Sequence, residues 1–189
     1  MSVDYDIIAF DNQTTFREWL ETHSTNTPGL WMRIYKKASG KTSITYAEAL
    51  DEALCYGWID GQRKSYDEVS YLQKFTPRRQ RSIWSKRNTE HIARLTEAGL
   101  MTDRGMQEVE RAKADGRWEA AYDGPSEMNV PEEFMRELGE NPQAKRFFDT
   151  LGKTSKYSIA WRLQTAKTEA TFKRRLDKII AMLEAGDKP

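Results

Sequence analysis

Residues 45–61 read TYAEALDEALCYGWIDG, and this stretch decides the fold class. Thr45 followed three residues later by Glu48 is a capping box, in which each side chain satisfies a backbone N–H that the first helical turn leaves open. Ala47, Leu50 and Leu54 then share one helical face, and Gly57 stands where a C′ glycine ends a helix. Immediately afterwards the pattern becomes strand-like. Residues 58–66 and 70–76 are joined near Asp67-Glu68, and Pro77 ends the second run because it has no N–H to give to a ladder. A helix delivered straight into a hairpin predicts an α+β fold with an antiparallel sheet.

Working outward, residues 7–10 read as a short strand, and Thr15 with Glu18 reads as a capping box opening a helix that carries Phe16, Trp19 and Leu20. Residues 26–29 break the chain, 30–35 (LWMRIY) suit a strand, and 39–41 form a loop. The expected sheet therefore has about three to five strands flanked by helices. Downstream, a helix is expected over 88–98 with Ile92 and Leu95 inward and Gly99 as its stop. Thr102 caps the next, with Met106, Val109 and Ala112 at helical spacing before Gly116. Asp123-Gly124-Pro125-Ser126 concentrates turn residues, which predicts an α+β domain over 1–123 and a second module over 127–189. That module reads as a small all-helical unit of four helices. Pro131 precedes Phe134 and Leu138; Asn141-Pro142 precedes Ala144, Phe147, Phe148 and Leu151; Thr154 or Ser155 starts a helix with Tyr157, Ala160 and Trp161; and Thr168 starts the last, with Phe172, Leu176, Ile179, Ile180 and Leu183.

Composition narrows the function classes. Apolar residues are 38% and charged residues 31% of 189, with six tryptophans, which favours a folded core over disorder. No apolar run approaches the roughly 20 residues of a membrane span, and the acidic start MSVDYDIIAF lacks the basic and apolar regions of an export signal, so a cytoplasmic protein without membrane insertion is expected. A single Cys55 permits no intrachain disulfide, and Cys55 with only His23 and His91 gives no zinc-ligand spacing, so neither metal nor cofactor is expected. Cys55 itself, inside the apolar run 53–56, reads as a buried, inert thiol.

The net charge of +1 conceals blocks. Residues 63–94 carry nine bases against three acids, 95–140 twelve acids against five bases, and 141–178 ten bases against three acids. Within 72–88 stand Lys74, Arg78, Arg79, Arg81, Lys86 and Arg87 with no acid, interleaved with Phe75 and Trp84. Cations beside rings that can stack are what a nucleotide, a nucleic acid or another polyanion needs. Asn88, read as the cap of the following helix, places Lys86 and Arg87 beside free N–H groups that already favour an anion. The candidate ligand set is Trp58, Asp60, Arg63, Lys74, Phe75, Arg78, Arg79, Trp84, Lys86, Arg87 and Asn88. The competing reading is a solvated loop whose cations pair with the acidic 95–140 block, Phe75 and Trp84 being core anchors. Asp60 reads either as a general base partnered by Arg63 or, with Gly61, as a turn pair. No nucleophile–base constellation is visible, so no catalytic residue is named. The last helix also carries Lys167, Lys173, Arg174, Arg175 and Lys178, a candidate second phosphate-contacting face or a solvated one.

The strings CYGWIDG (55–61), FTPRRQRSIWSKRN (75–88), AGLMTDRG (98–105) and AKADGRW (112–118), with Ile159-Ala160-Trp161, Ala166-Lys167 and Phe172-Lys173-Arg174-Arg175 in the tail, resemble the bacterial YdeI/OmpD-associated family. The resemblance implies a stress-associated or bacteriocin-protection protein, and an N-terminal part similar to the YjbR/CyaY-like α+β fold. It supplies no catalytic residues, and Asp11, Glu18 and Glu21 are too sparse for the acidic iron ridge of the CyaY proteins. The expectation is a non-enzymatic protein that binds an anionic small molecule or nucleic acid through 72–88. Two alternatives stay open: an enzyme acting on a phosphorylated or carboxylated small molecule, and an interaction module for an acidic protein partner.

Overall fold

The computed structural model describes residues 4–124 and 128–189, so the expected linker falls partly outside the described residues, at Pro125 and Ser126. Two compact units emerge. One takes in the chain up to Trp84 together with Asn88–Ala120, the other Ser85–Arg87 with the chain from Ala121 onward.

The first unit is built on a four-stranded sheet in the order β1-β2-β4-β3, with β1 Ile7–Ala9, β2 Leu30–Tyr35, β3 Trp58–Ser65 and β4 Ser70–Pro77. The α+β class holds. The hairpin β3–β4 and the pair β2–β4 are antiparallel, while β1 runs parallel to β2. That one parallel pairing follows from the helix α1 (Gln13–His23), since a strand–helix–strand connection returns the chain in its starting direction. Helix α1 starts earlier than the Thr15 box predicts: Asn12 is the cap, its side chain accepting from the Thr15 N–H at 3.0 Å. The Thr45–Glu48 box forms as read, opening α2 (Tyr46–Cys55), and Gly57 takes φ +72° just beyond it.

One sheet face packs against these helices. Leu30, Met32, Ile34 and Phe75 from the sheet, Phe16 and Leu20 from α1, and Ala49, Leu50, Ala53 and Leu54 from α2 are all buried. Phe16 meets Phe75 with ring centres 6.0 Å apart, and Trp19 meets Trp58 edge-on at 5.8 Å. Helices α3 (Lys86–Glu97) and α4 (Asp103–Ala114) complete the succession, with Thr102 capping α4 as expected. Gly105 is what lets α4 touch the end of α2: a Cβ there would stand 2.2 Å from the Cys55 carbonyl oxygen, which already accepts from the Thr102 hydroxyl at 2.6 Å.

The second unit holds four helices, α5 (Glu132–Glu140), α6 (Pro142–Thr150), α7 (Lys153–Gln164) and α8 (Glu169–Glu184). Phe134, Leu138, Ala144, Phe148, Leu151, Ile159, Leu163, Leu176, Ile179 and Leu183 form its core. Asn141 and Thr168 cap α6 and α8 through their side chains, whereas Pro131 stands just before α5 rather than inside it. None of the described helices is long and apolar enough to cross a membrane.

Candidate ligand surface on the open sheet face

Strand β2 alternates fully buried with half-buried residues, so Leu30, Met32 and Ile34 face the helices and Trp31, Arg33 and Tyr35 face the other way. Register carries the outer row across the sheet. Ile7 pairs with Trp31, Lys74 with Trp31, Leu72 with Arg33, and Lys64 with Leu72. The margins of this face are open, Ile7 being 47% and Tyr66 48% exposed and Lys64 exposed too, whereas Leu72 and Ser70 nearer its centre are buried.

What occupies it is a ladder of rings and cations. The Lys64 ammonium lies 4.1 Å from the centre of the Trp31 ring, and Lys74 lies 5.7 Å from that ring and 3.7 Å from Tyr5. Further along, the Arg33 guanidinium sits 4.8 Å from Tyr35 and 5.2 Å from Tyr66, and Lys41 sits 5.3 Å from Tyr35. Arg33 is neutralised by Asp67 at 2.7 Å. The Ser70 hydroxyl and the backbone hold that carboxylate below the usual range, despite its exposure. Lys41, Lys64 and Lys74 form no ion pair among the described residues. Charge without a counter-charge, over flat apolar rings, is the chemistry that stacks bases and meets phosphates.

The residues anticipated from the sequence scatter by comparison. Lys74 belongs to the ladder. Arg63 lies on the Tyr71 ring at 3.9 Å, towards the opposite side of β3. Asp60 accepts from the Tyr46 hydroxyl at 2.9 Å, inside a strand whose pairing slips between Asp60 and Arg63; it forms neither the turn nor the Asp60–Arg63 pair. Trp58 and Phe75 are wholly buried, Trp58 donating its indole N–H to the Ser24 carbonyl at 3.2 Å. Arg78 is 7% exposed and lies 3.5 Å from the centre of the Trp84 ring, itself 1% exposed and packed on Trp118. Arg79 is exposed in the loop after β4, and Arg87 is exposed on α3. Helix α3 begins at Lys86, so Asn88 lies within its first turn rather than at the cap; just before it Ser85 is bridged to Tyr122, and the Lys86 ammonium is paired with Asp123 at 2.5 Å. Of the six bases in 72–88, Lys86 thus does meet the acidic block.

Two other polar groupings emerge. Glu52, 3% exposed, accepts from Gln13 at 2.7 Å and Arg17 at 2.9 Å. The neighbouring Cys55 thiol is pushed up to about 12, first by burial and then by Glu52, which makes it inert. His91 and Arg94 both reach Asp51, at 2.9 and 2.6 Å, tying α3 to α2.

The comparisons place these units in families. Residues 127–186 match the family described as "Bacteriocin-protection, YdeI or OmpD-Associated", so the helical unit is a YdeI/OmpD-associated domain. Residues 8–108, just over half of the chain, match "Domain of unknown function (DUF8412)", and the chain belongs to that family. No curated protein and no solved structure matches it significantly.

Proposed function

We propose that this protein is a non-enzymatic binder of single-stranded nucleic acid, which it takes on the open face of its sheet. The observation that carries the reading is Trp31, half-buried on that face and flanked by Lys64 and Lys74, neither of which has a carboxylate partner among the described residues. Four-stranded sheets that present rings to unpaired bases are an established way of holding a single strand. The energetics favour exchange. An exposed cation–π contact contributes about 0.5–1 kcal/mol, while a base stacked on an aromatic ring contributes about 1–3 kcal/mol. A base therefore displaces a lysine from the Trp31 ring, and the released ammonium, on its four-carbon stem, swings to a phosphate. Trp31 and Tyr35 lie four residues apart on one strand, about 13 Å, which gives two separate stacking stations.

The proposal moves the centre of the site from the 72–88 run to the sheet and keeps Lys74; Arg79 and Arg81, exposed after β4, add to the attracting field. The protective role named in the C-terminal family's description is taken as the cellular setting of this binding. Fluorescence titration with oligo(dT) and with inorganic polyphosphate, which has charge but no bases, tests the reading. Trp31→Ala is expected to weaken oligo(dT) binding about 5- to 150-fold and polyphosphate binding little. Equal losses on both ligands, or no oligonucleotide binding by the unaltered protein, would refute it.

A further inference from the structure

Between α7 and α8 lies a cavity of about 320 Å³, lined by Trp161, Arg162, Arg175, Lys178, Ile179 and Met182. We propose that it binds a small organic anion with a flat apolar body, an aromatic carboxylate being the simplest form. The volume falls at the lower end of the roughly 300–1,000 Å³ typical of small-molecule sites. Its lining has the two parts such a ligand needs. Trp161, Ile179 and Met182 offer apolar surface, and Trp161 is held in place by edge-on contact with Tyr122 at 6.1 Å. Arg162, Arg175 and Lys178 supply three positive charges, with no carboxylate among the described residues that line it.

Elsewhere in this unit cations do find acids within a turn: Lys173 meets Asp177 at 3.2 Å and Lys145 meets Asp149 at 3.1 Å. Arg162 and Lys178 form no ion pair and no side-chain hydrogen bond among the described residues. Arg175 is fixed differently. Its Nη1 donates to the Arg162 carbonyl at 2.5 Å and to the Thr165 hydroxyl at 3.3 Å, which caps the end of α7 and holds the guanidinium in one orientation. Its remaining nitrogens donate to no protein group among the described residues. A planar donor already immobilised, between two unpaired cations that repel it, forms a pre-organised carboxylate receptor whose self-repulsion an anion relieves. A bare inorganic anion would leave the Trp161 surface unused, which is why the ligand needs an apolar body.

The test uses the full chain and anthranilate, with neutral anthranilamide and inorganic phosphate as controls, read by calorimetry and ligand-observed NMR. Anthranilate is expected to bind once per chain at submillimolar concentration, and anthranilamide at least about tenfold more weakly, the loss of one charge-assisted contact. Lys178→Gln and Arg162→Gln should each weaken anthranilate about three- to tenfold with unchanged thermal melting, since neither side chain supports the fold. Trp161→Leu should weaken it as well, with melting followed separately to detect lost packing. The proposal is overturned by no binding up to about 5 mM, by equal binding of the amide, by displacement with equimolar phosphate, or by indifference to both Gln variants.

Discussion

Removing Lys64 and Lys74 together gives the sharpest prediction, because the same change alters affinity and its dependence on salt by calculable amounts. For single strands the logarithm of affinity falls with the logarithm of salt with a slope of about −0.7 per phosphate neutralised. Lys41, Lys64 and Lys74, the ladder cations without carboxylate partners among the described residues, account for a slope of about −2, or about an 18-fold loss of affinity between roughly 50 and 200 mM salt. In Lys64→Gln/Lys74→Gln a single phosphate contact remains; the slope becomes about −0.7 and the loss only about 2.6-fold. The variant gives up cation–π contacts of about 0.5–1 kcal/mol each on the Trp31 and Tyr5 rings, which an ordinary domain stability of about 5–15 kcal/mol tolerates. Anisotropy titrations with labelled oligo(dT) across salt, beside circular dichroism melts, provide both readings. A slope unchanged by the double substitution, with the protein still folded, shows that the sheet lysines do not meet the phosphates.

Gly105→Ala, which pushes a Cβ to 2.2 Å from the Cys55 carbonyl oxygen, should cost about 2 kcal/mol or more in denaturant unfolding, whereas Gly139→Ala in α5, with nothing within 4 Å, should gain up to about 1 kcal/mol. Glu52→Ala should cost about 2–3 kcal/mol, less than the 3–5 of a fully buried pair because Arg17 keeps solvent access, and its melting curve checks this. Burial raises the Cys55 thiol from 9.0 to about 12. The folded state therefore holds this proton more tightly than the unfolded chain, and the associated stability is present below pH 9 and lost as pH rises towards 12. Cys55→Ala should accordingly flatten the alkaline decline of stability over that window, as followed by urea titrations at stepped pH.

Local signals were legible because their causes are local. Thr45 with Glu48, Thr102, Asn141 and Thr168 each satisfy backbone groups three residues away, and Gly57, Gly99 and Gly116 each take positive φ where a helix ends. Asn12 outcompeted the Thr15–Glu18 box because Thr15 itself reaches back to Asn12, so the same threonine serves the cap without being it. The proposed ligand surface was harder to see. The run 72–88 is continuous in sequence but not in space: it passes from the open sheet at Lys74 through the core at Phe75, the buried Arg78 on Trp84 and an exposed loop into α3. The ladder instead joins Tyr5, Trp31, Lys64 and Lys74, residues brought together only by strand register. A signal was present in LWMRIY, where Trp31, Arg33 and Tyr35 alternate with Leu30, Met32 and Ile34; one row is suited to a core and the other to contact with solvent or a ligand.

The slipped pairing between Asp60 and Arg63 has a consequence for self-association. Strand β3 is an edge, its far side unpaired among the described residues, and a flat edge is a template on which a second copy can add strands. Here the irregularity interrupts the ladder midway, and Arg63 and Lys64 follow it at once with like charges. Two such edges brought side by side would meet out of step and repel, so the sheet face that carries the ring-and-cation ladder is bordered by a strand that resists sheet-to-sheet aggregation.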